Sequence, residues 1–382
     1  MSPLLQQFLV AFIFTLTAIT VLARLAPAIG LVDTPDERKL HIGQVPLIGG
    51  IAIFLSLILG ALLWGGESVT MITGNSHSIW VFMFAGAVLV MLGIADDRSH
   101  VSVFTRVVIE IAVALIIIEG LDLNVRYLGD LVGTGRIALP AWLAYPFTVI
   151  CIFGVINAFN MLDGMDGLLG IMMLITLAGF HLFTGIVPGL VSVFIGSSLL
   201  AFLVSNLKLS PFIPKSFLGD AGSKLLGFIV VSLILASTSA QIGGEKLMQP
   251  VTALYIVGLP LFDMVFTTLR RLRTRRSPFS PDRSHIHHLM QALGMSNRRA
   301  LLVIGSVGLC CPFLGLMLSK SGATTPYQFY TFCGCFVMYC VLMSQAWQVA
   351  ERLKRIDAQK DGMIFSSPHS TRYPDAKQPS TE

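Results

Sequence analysis

Charge is what this sequence has little of. Charged residues make up 12% of its 382 residues and hydrophobic residues 54%, whereas an average soluble domain has roughly 25% charged residues. Between Pro3 and Ala350 no stretch of domain size has a soluble composition. This scarcity excludes an ordinary soluble protein and favours a single polytopic membrane domain.

Cysteine is also sparse, and its spacing excludes two further classes. The six cysteines never occur as C-x-x-C, the spacing typical of zinc and redox sites. All lie within or at the edge of apolar segments, where cysteine behaves as a small buried apolar residue. The sequence therefore indicates neither a zinc centre nor a disulfide scaffold. The six are Cys151, Cys310, Cys311, Cys333, Cys335 and Cys340.

Long apolar runs dominate what is present. A helix needs roughly 20 apolar residues to cross a bilayer, and windows of that length predict an all-α fold of roughly eleven transmembrane helices. The first run lacks a preceding basic segment and is too long for a signal peptide, so we interpret it as a retained anchor. The predicted spans are 4–23, 46–64, 79–95, 103–120, 142–157, 168–185, 187–206, 222–240, 251–270, 300–319 and 327–349.

Lysine and arginine are unevenly distributed between the two sides of this predicted fold. If the N-terminus lies outside, all but four of the 26 Lys and Arg residues fall inside. Basic residues accumulate in cytoplasmic loops, so we predict an outside N-terminus and a cytoplasmic C-terminus. Contact with anionic membrane lipids accounts for the net charge of +5 without nucleic acid as a partner. The four exceptions are Arg126, Arg136, Lys246 and Lys320.

The predicted transmembrane domain covers residues 1–350, and a cytoplasmic tail, 351–382, follows it. The end of this tail is polar and rich in proline and serine, a composition typical of disorder. No pattern encodes the oligomeric state, and a homodimer is one arrangement open to the chain.

Aspartates collect in the predicted cytoplasmic loops. Asp96 and Asp97 follow one apolar run, and Asp163 and Asp166 precede another. Asp220 stands in the motif FLGDAGS. Oxygen ligands without cysteine suit a hard cation such as Mg²⁺ or Mn²⁺, which also accepts phosphate oxygens from a substrate. Helix capping at the membrane edge is the alternative for any single aspartate, but five on one side favour a site for a metal and a diphosphate.

Histidines and arginines form a second group on the same side. His285, His287 and His288 follow Arg283 in the motif DRSHIHH. No fourth ligand stands at finger-like spacing, so we favour hydrogen bonding to a sugar or phosphate over a zinc site and over a solvated loop. The preceding segment RRLRTRR, 270–276, is interpreted as a positive-inside anchor that contacts lipid headgroups.

Two ionisable residues lie inside predicted spans. Glu110 and Asp263 would be costly against lipid, so each is expected to face the bundle interior or a water-filled cavity. Such residues beside a proline-interrupted helix also suit a secondary transporter of an anionic solute, the alternative from another functional class. Transporter sites lie near the membrane midplane, however, whereas the polar groups here collect at one face.

Five motifs, taken in order, carry a family resemblance. The chain resembles the polyprenyl-phosphate N-acetylhexosamine-1-phosphate transferases. Members that move phospho-MurNAc-pentapeptide typically have three consecutive histidines followed by an aromatic residue and glutamate. Here Ile286 interrupts the histidines and Leu289 follows them, so the likeness is to members that use UDP-N-acetylglucosamine. The motifs are D-x-P-x-x-R-K-x-H at 33–41, DDR at 96–98, N-x-x-N-x-x-D-G-x-D-G-L at 157–168, FLGDAGS at 217–223 and DRSHIHH at 282–288.

The resemblance implies a role for each matching residue. Asp96, Asp97 and Asp163 would be catalytic, and Asp220 and Asp163 would bind the metal. The nucleotide and its phosphates would contact Lys39, Asn157, Asn160, Asp166 and Phe217. The loop at the sugar phosphate would contain Arg283, His285, His287 and His288.

The implied reaction joins N-acetylglucosamine 1-phosphate from UDP-N-acetylglucosamine to undecaprenyl phosphate and releases UMP. A lipid phosphate oxygen attacks the β-phosphorus, and Mg²⁺ or Mn²⁺ neutralises the developing charge. The enzymes that this chain resembles perform this step at the bacterial inner membrane to start O-antigen or enterobacterial common antigen chains. Another UDP-N-acetylhexosamine donor is the alternative within this class, and Asp96 and Asp97 are equal candidates for removing a proton.

Overall fold

Helices form most of the described chain, because a helix satisfies its own backbone hydrogen bonds inside a bilayer. The computed structural model describes residues 2–34, 43–65, 76–239, 241–242, 245–279 and 284–360. The helices within these ranges are α1 Pro3–Ile29, α2 Gly49–Trp64, α3 Ser76–Ser99, α4 Val103–Leu121, α5 Ala141–Leu162, α6 Leu168–Thr184, α7 Leu190–Asn206, α8 Gly219–Ser239, α9 Pro250–Ile256, α10 Gly258–Arg273, α11 Ile286–Ala292, α12 Asn297–Lys320 and α13 Thr325–Lys360.

Each of the predicted spans overlaps at least one of these helices. By length and composition, six described helices could cross a membrane, or seven when the bent pair α9 and α10 counts as one span. Three shorter apolar helices, α2, α6 and α7, accompany them. The chain is therefore a multi-pass helical membrane protein, while the count of eleven crossings and the orientation of the termini stay predictions.

Helix α8 lies at the centre of the bundle, and glycines at its crossings allow the neighbouring backbones to touch it. A Cβ added to Gly50 of α2 would collide with the backbone of Gly222, and one added to Gly93 of α3 would collide with Ala221. On α5, the Cα of Ile156 would lie 2.8 Å from a Cβ at position 227 of α8. Small residues at helix crossings permit this close packing in membranes. As a result the start of α8 meets the ends of α3 and α5, and we call this region the aspartate end of the bundle.

Short antiparallel ribbons connect several helices, and one of them positions the FLGD segment. Phe217 donates its N–H to the carbonyl of Pro46 and accepts the N–H of Gly49, both at 2.9 Å. This backbone pairing fixes the residues before α8 against the start of α2. The ribbons are β1 Val32–Asp33 with β2 Val45–Pro46, β3 Tyr127–Gly129 with β4 Ile137–Ala138, and β5 Gln241–Ile242 with β6 Glu245–Lys246.

The predicted span 251–270 is two helices in the structure. Helices α9 and α10 meet at an angle of 80° around Val257. The bend precedes Pro260, which lies in the first turn of α10, where the missing N–H of proline costs no helical hydrogen bond. A hydropathy window detects an apolar stretch but not a change in its direction, so the sequence predicted one span.

Helix α13 continues to Lys360, ten residues beyond the predicted domain boundary at 350. Its last turns are rich in Ala, Glu, Lys and Arg, which are good helix formers, and Glu351 and Arg355 stand at the favourable i, i+4 spacing. The predicted disorder of the tail therefore does not extend to 351–360. Residues 361–382 lie outside the described residues.

Candidate functional site

Asp96 and Asp97, in the last turn of α3, have different surroundings. Asp96 is buried, accepts a backbone N–H at 2.9 Å and pairs with Arg106 at 2.9 Å. Asp97 accepts the N–H of Asp220 through Oδ1 at 3.1 Å. Its Oδ2 is buried over Gly219 and has no hydrogen-bond partner within the described chain. Asp96 is thus fully engaged, whereas Asp97 keeps one oxygen for another group.

The start of α8 brings a carboxylate and a glycine to the same place. Gly219 has a φ of 72°, which favours glycine, and a Cβ there would lie 2.6 Å from Asp97 Oδ2. Asp220 follows in the first turn of the helix, where the helix dipole stabilises negative charge. Only glycine therefore allows the two carboxylates to approach across this turn.

Asp163 directly follows the last turn of α5 and completes an acidic cluster of Asp96, Asp97, Asp163 and Asp220. Burial, together with the charges of Asp220, Asp97 and Asp166, raises the pKa of Asp163 to about 8. Such a carboxyl holds its proton at neutral pH unless a cation compensates the charges around it. The carboxylates around Asp163 therefore carry negative charge that a bound cation would compensate.

The turn between α5 and α6, residues 163–167, is fixed by an asparagine from α7. Gly167 has a φ of 78° and donates its N–H to Asn206 Oδ1 at 2.5 Å. The amide nitrogen of Asn206 donates to the carbonyl of Ser216 at 2.9 Å. One side chain thereby joins the D-G-M-D-G turn to the segment that leads into α8.

Asp166, Lys215 and Phe217 form an arm beside the acidic cluster. Lys215 Nζ lies 2.7 Å from Asp166 and 5.1 Å from the centroid of the Phe217 ring. The side chains of Asp166 and Lys215 are each 30% exposed. This arm therefore offers a carboxylate, a cation and an aromatic ring on a solvent-accessible edge of the site.

Lys224 is a buried cation beneath the acidic cluster. It is only 1% exposed, and its Nζ lies 3.3 Å from Asp220 and 3.9 Å from both Asp96 and Glu110. Glu110 in turn accepts a hydrogen bond from Asn157 at 2.6 Å. A buried charge is tolerated when it is paired in this way, so Lys224 and Glu110 form a charged layer under the site.

Asn160 fixes the first turn of α8 against α5. With its amide oriented to suit these neighbours, it donates to Ser223 Oγ at 3.0 Å and to Asp220 Oδ1 at 3.3 Å. Its carbonyl oxygen accepts from Lys224 Nζ at 2.8 Å. The two asparagines predicted to contact the nucleotide, Asn157 and Asn160, both bond to protein groups in the structure.

Asp263 holds the histidine segment, 284–288. His285 Nδ1 donates to Asp263 Oδ2 at 2.7 Å, and the N–H of Ile286 donates to Oδ1 at 2.9 Å. Tyr339 of α13 donates its hydroxyl to the same Oδ1 at 2.9 Å. Asp263 and Glu110 are 1% and 2% exposed, so the expectation that both face the bundle interior is confirmed.

The prediction of a lipid anchor at 270–276 is wrong for Arg271. This arginine is buried, donates to the carbonyl of Pro278 at 2.6 Å and lies 3.5 Å from His285 Nε2. It folds back on the loop because α10 ends two residues later and the chain reverses direction there. Arg271 therefore supports the histidine segment instead of facing lipid.

His287 brings the histidine segment to the acidic cluster. Its ring lies on Gly164, where any Cβ would collide with it. The ring centroid of His288 lies 4.2 Å away. Burial, and then the charges of His288 and His285, lower the pKa of His287 to about 3. His287 is therefore neutral at physiological pH, with one ring nitrogen able to donate and the other to accept.

Two predicted site residues, Lys39 and Arg283, lie outside the described residues. The flanks of the Lys39 segment are strands β1 and β2, which pair beside Phe217. Arg283 directly precedes the histidine segment, whose first described residue is Ser284.

Comparison with known proteins identifies the chain. Residues 79–238, which contain the acidic cluster, match glycosyl transferase family 4. The undecaprenyl-phosphate alpha-N-acetylglucosaminyl 1-phosphate transferase of Salmonella typhi is 35% identical over 380 residues, covering 96% of this chain and 98% of the relative. The chain therefore belongs to the same family as this transferase.

Further relatives of the transferase carry similar names. The undecaprenyl-phosphate alpha-N-acetylglucosaminyl 1-phosphate transferase of Escherichia coli K12 is 32% identical over 367 residues, covering 94% of this chain and 96% of the relative. A probable undecaprenyl-phosphate N-acetylglucosaminyl 1-phosphate transferase of Bacillus subtilis is 34% identical over 326 residues, covering 84% of this chain and 86% of the relative. The chain is a glycosyl-1-phosphate transferase, and the resemblance drawn from the five motifs is confirmed.

Sequence reasoning missed the cations of the transferase site. Lys224 stands four residues after Asp220 on one helix, a pairing that the i, i+4 spacing could have revealed. Arg106, by contrast, reaches Asp96 from the next helix, and no local pattern records that contact. Lys215 lies two residues before Phe217, and the cation assigned to the phosphates was Lys39 instead.

The acidic cluster of the transferase fits a hard divalent cation by its chemistry. All of its groups are carboxylates, one oxygen of Asp97 has no described partner, and Asp163 is raised in pKa by its neighbours' charges. Among the described residues, no three side chains are already arranged as a ligand set for a metal. Such a site suits Mg²⁺ or Mn²⁺ that arrives with a diphosphate, because these ions keep waters and take phosphate oxygens as ligands.

Proposed function

We propose that this transferase moves N-acetylglucosamine 1-phosphate from UDP-N-acetylglucosamine to undecaprenyl phosphate and releases UMP. The names of relatives at 32% and 35% identity over most of the chain support both the sugar phosphate and the lipid acceptor. The observation that carries the proposal is the carboxylate cluster at the aspartate end, whose negative charge Arg106 and Lys224 compensate only in part, as suits the binding of a metal with a diphosphate.

The donor occupies the space between the Phe217 arm and the histidine segment. Uracil stacks on the Phe217 ring, and Asp166 accepts hydrogen bonds from the uridine. Lys215, already 5.1 Å from that ring, lies where it neutralises a phosphate. His287 and His288 hydrogen-bond the sugar phosphate, with Arg283 and Lys39 supplying further positive charge.

The reaction is a single displacement at phosphorus. A phosphate oxygen of the lipid forms a bond to the β-phosphorus while the bond between that phosphorus and the bridging oxygen breaks, and UMP leaves with the electron pair. A phosphate monoester has a second pKa near 6, so the nucleophile is mostly ionised at neutral pH. Asp97 takes the remaining proton, because its Oδ2 is free of described partners whereas Asp96 is held by Arg106.

Asp220 and Asp163 hold the divalent cation, and Asp97 Oδ2 adjoins them. A bound Mg²⁺ or Mn²⁺ supplies neutralisation of the charge that develops on the phosphate oxygens. Arg106 pairs with Asp96, and Lys224 lies near both Asp220 and Glu110, so these two cations compensate part of the negative charge and the remainder is available to the metal and substrate.

We assign the enzyme to the initiating step of O-antigen or enterobacterial common antigen synthesis at the bacterial inner membrane, with its site facing the cytoplasm. The support is the motif resemblance and the distribution of basic residues. Glu110 and Asp263, which suited a transporter, each hold a neighbour of the site: Asn157 and His285. No transport function is therefore proposed.

Lipid-extractable product is the decisive measurement. Membranes containing the protein are incubated with radiolabelled UDP-N-acetylglucosamine, undecaprenyl phosphate and Mg²⁺ or Mn²⁺, with and without EDTA. We expect label in the butanol phase and UMP in the aqueous phase, both lost with EDTA and with Asp163→Asn. UDP-N-acetylgalactosamine serves as the donor control. Folded protein that labels no lipid with the first donor would overturn the proposal, and equal labelling from both would overturn its donor.

A further inference from the structure

A cleft between α10 and α13 lies beside the histidine segment but outside the acidic cluster. Its volume is about 280 Å³, close to the roughly 300 Å³ at which small-molecule pockets begin. Phe266, Leu269 and Cys340 line its apolar part. Its polar part is lined by Arg270, Arg273, Ser344, Trp347, Gln348 and Glu351.

The two ends of the cleft differ in chemistry as the two ends of a lipid do. Arg270 and Arg273 lie one helical turn apart on α10, against the single carboxylate of Glu351 on α13. The Arg270 guanidinium lies 5.3 Å from the Trp347 ring, an arrangement that fixes the cation while leaving its edge available. An anionic headgroup suits this end, and acyl chains suit Leu269 together with the exposed apolar side chains of α13 that precede Ser344, such as Val337 and Val341.

The cleft is connected to the catalytic machinery through the tryptophan. Trp347 Nε1 donates to the carbonyl of Ser284 at 3.3 Å, and Ser284 directly precedes His285. On the α10 side, Arg271, which follows Arg270, lies 3.5 Å from His285. A molecule that fills the cleft therefore contacts Trp347 directly, and it contacts Arg270, the chain neighbour of Arg271.

We propose that this cleft binds the phosphate headgroup of an anionic phospholipid and thereby stabilises the histidine segment. The lipid is a structural ligand of the transferase and is distinct from its polyprenyl-phosphate acceptor. Binding depends on Arg270 and Arg273 and uses no residue of the acidic cluster. Its influence on sugar-phosphate transfer rests on the function proposed above, whereas the binding itself does not.

Native mass spectrometry and thermal unfolding of the purified full-length protein test the proposal. The probes are phosphatidylglycerol, phosphatidylcholine, undecaprenyl phosphate and inorganic phosphate. We expect retained phosphatidylglycerol and a higher Tm for the wild type. Arg270→Ala/Arg273→Ala should weaken phosphatidylglycerol binding about 30-fold, as two lost surface cations imply.

Arg298→Ala/Arg299→Ala is the matched control, because these exposed arginines begin α12 outside the cleft. The exposed Arg273→Glu alone provides a variant that leaves the Arg270–Trp347 contact intact.

The outcomes separate the alternatives. Equal loss of binding in the cleft and control variants would reduce the effect to general surface charge and overturn the proposal. Loss of undecaprenyl phosphate binding in the cleft variants would make the cleft an acceptor site and also overturn it. If inorganic phosphate raised the Tm and phosphatidylglycerol did not, the cleft would be a site for free phosphate and the lipid proposal would be overturned. Phosphatidylglycerol binding that is unchanged in the cleft variants would also overturn the proposal. Wild-type protein that binds phosphatidylglycerol but has no transferase activity would instead count against the proposed function.

Discussion

At the scale of single residues, the two carboxylates that end α3 differ in how many of their oxygens the protein already uses. Asp96 gives one oxygen to Arg106 and the other to a backbone N–H, whereas Asp97 Oδ2 is buried without a described partner. A buried acceptor left unpaired is costly. We therefore expect a proton, a cation or the substrate to occupy that position during turnover.

Asp97→Asn should lower kcat by about 10²- to 10³-fold with little change in Tm, since the amide keeps the shape but cannot accept a proton. Steady-state transfer to undecaprenyl phosphate measures it. Asp122→Asn is the control, because Asp122 is exposed at the opposite end of α4 and should leave kcat unchanged. A kcat within threefold of wild type in the Asp97 variant would contradict the assigned role.

Lys224→Met should lower the free energy of unfolding by about 3 to 5 kcal/mol, because it leaves the buried carboxylate of Glu110 without its cation. Thermal unfolding in detergent measures the loss as a decrease in Tm. The double variant Glu110→Gln/Lys224→Met removes both charges of one pair and should regain at least half of the loss. A double variant as unstable as the single one would show that the pairing with Glu110 is unimportant.

His287 predicts a pH dependence of stability. Its pKa is lowered from 6.5 to about 3 in the folded protein, so the unfolded chain binds a proton that the folded protein excludes. Stability present above pH 6.5 is therefore lost as the pH falls toward 3, by about 1.4 kcal/mol per pH unit. Between pH 7 and pH 5, wild type should lose about 2 kcal/mol more than His287→Asn. Equal decreases in Tm over this range would contradict the neutral state of His287.

At the scale of helices, the sequence predicts features that depend on neighbouring residues and does not predict those that depend on distant ones. The thickness of the bilayer sets the length of an apolar run, so the apolar helices could be located from hydropathy alone. The 80° bend at Val257 could not, because hydropathy contains no direction. The histidine segment was recognised from its sequence motif. Its partner Asp263 lies 22 residues before His285, and Tyr339 lies 76 residues after Asp263, so no periodic pattern in the sequence reveals these contacts.

Gly50→Ala should strongly lower both activity and Tm, because its methyl group would collide with Gly222 and push α8 away from α2. Asp220 lies two residues before that crossing, so the acidic cluster should open as well. Gly196→Ala provides the matched control, since no atom of the described residues outside its own helix lies within 4 Å of the added Cβ. There the substitution should be neutral or slightly stabilising, as alanine favours helix over glycine. A Gly50 variant as active as the Gly196 variant would refute this close crossing.

At the scale of the whole molecule, the chemistry is collected at one end of a bundle that is otherwise apolar. Helices α3, α5 and α8 bring carboxylates from positions 96, 163 and 220 together there. Helix α11 and the residue before it add the histidines, which Asp263 of α10 holds in place. Such one-sided placement suits a reaction between a substrate dissolved in water and another dissolved in the membrane. The motifs predicted this collection because the loops that carry them alternate regularly with the spans.

The predicted orientation is testable by thiol labelling in intact cells. In a background with the native cysteines replaced, Thr134→Cys should react with a membrane-impermeant maleimide, because the sequence places that loop outside. Arg275→Cys, in the basic loop after α10, should react only after the membrane is permeabilised. Labelling in the reverse order would overturn the N-out topology, and labelling of both in intact cells would show that the membranes are leaky.

The contacts of α13 have a consequence for the order in which the enzyme becomes competent during its own synthesis. All five aspartates have been synthesised once α8 has been made. Tyr339 and Trp347, which hold Asp263 and Ser284, belong to the last described helix. A nascent chain therefore carries a complete set of acidic groups while its histidine segment still lacks two of its anchors. Only insertion of the final helix supplies them, so competence is acquired late, after the whole bundle has entered the membrane.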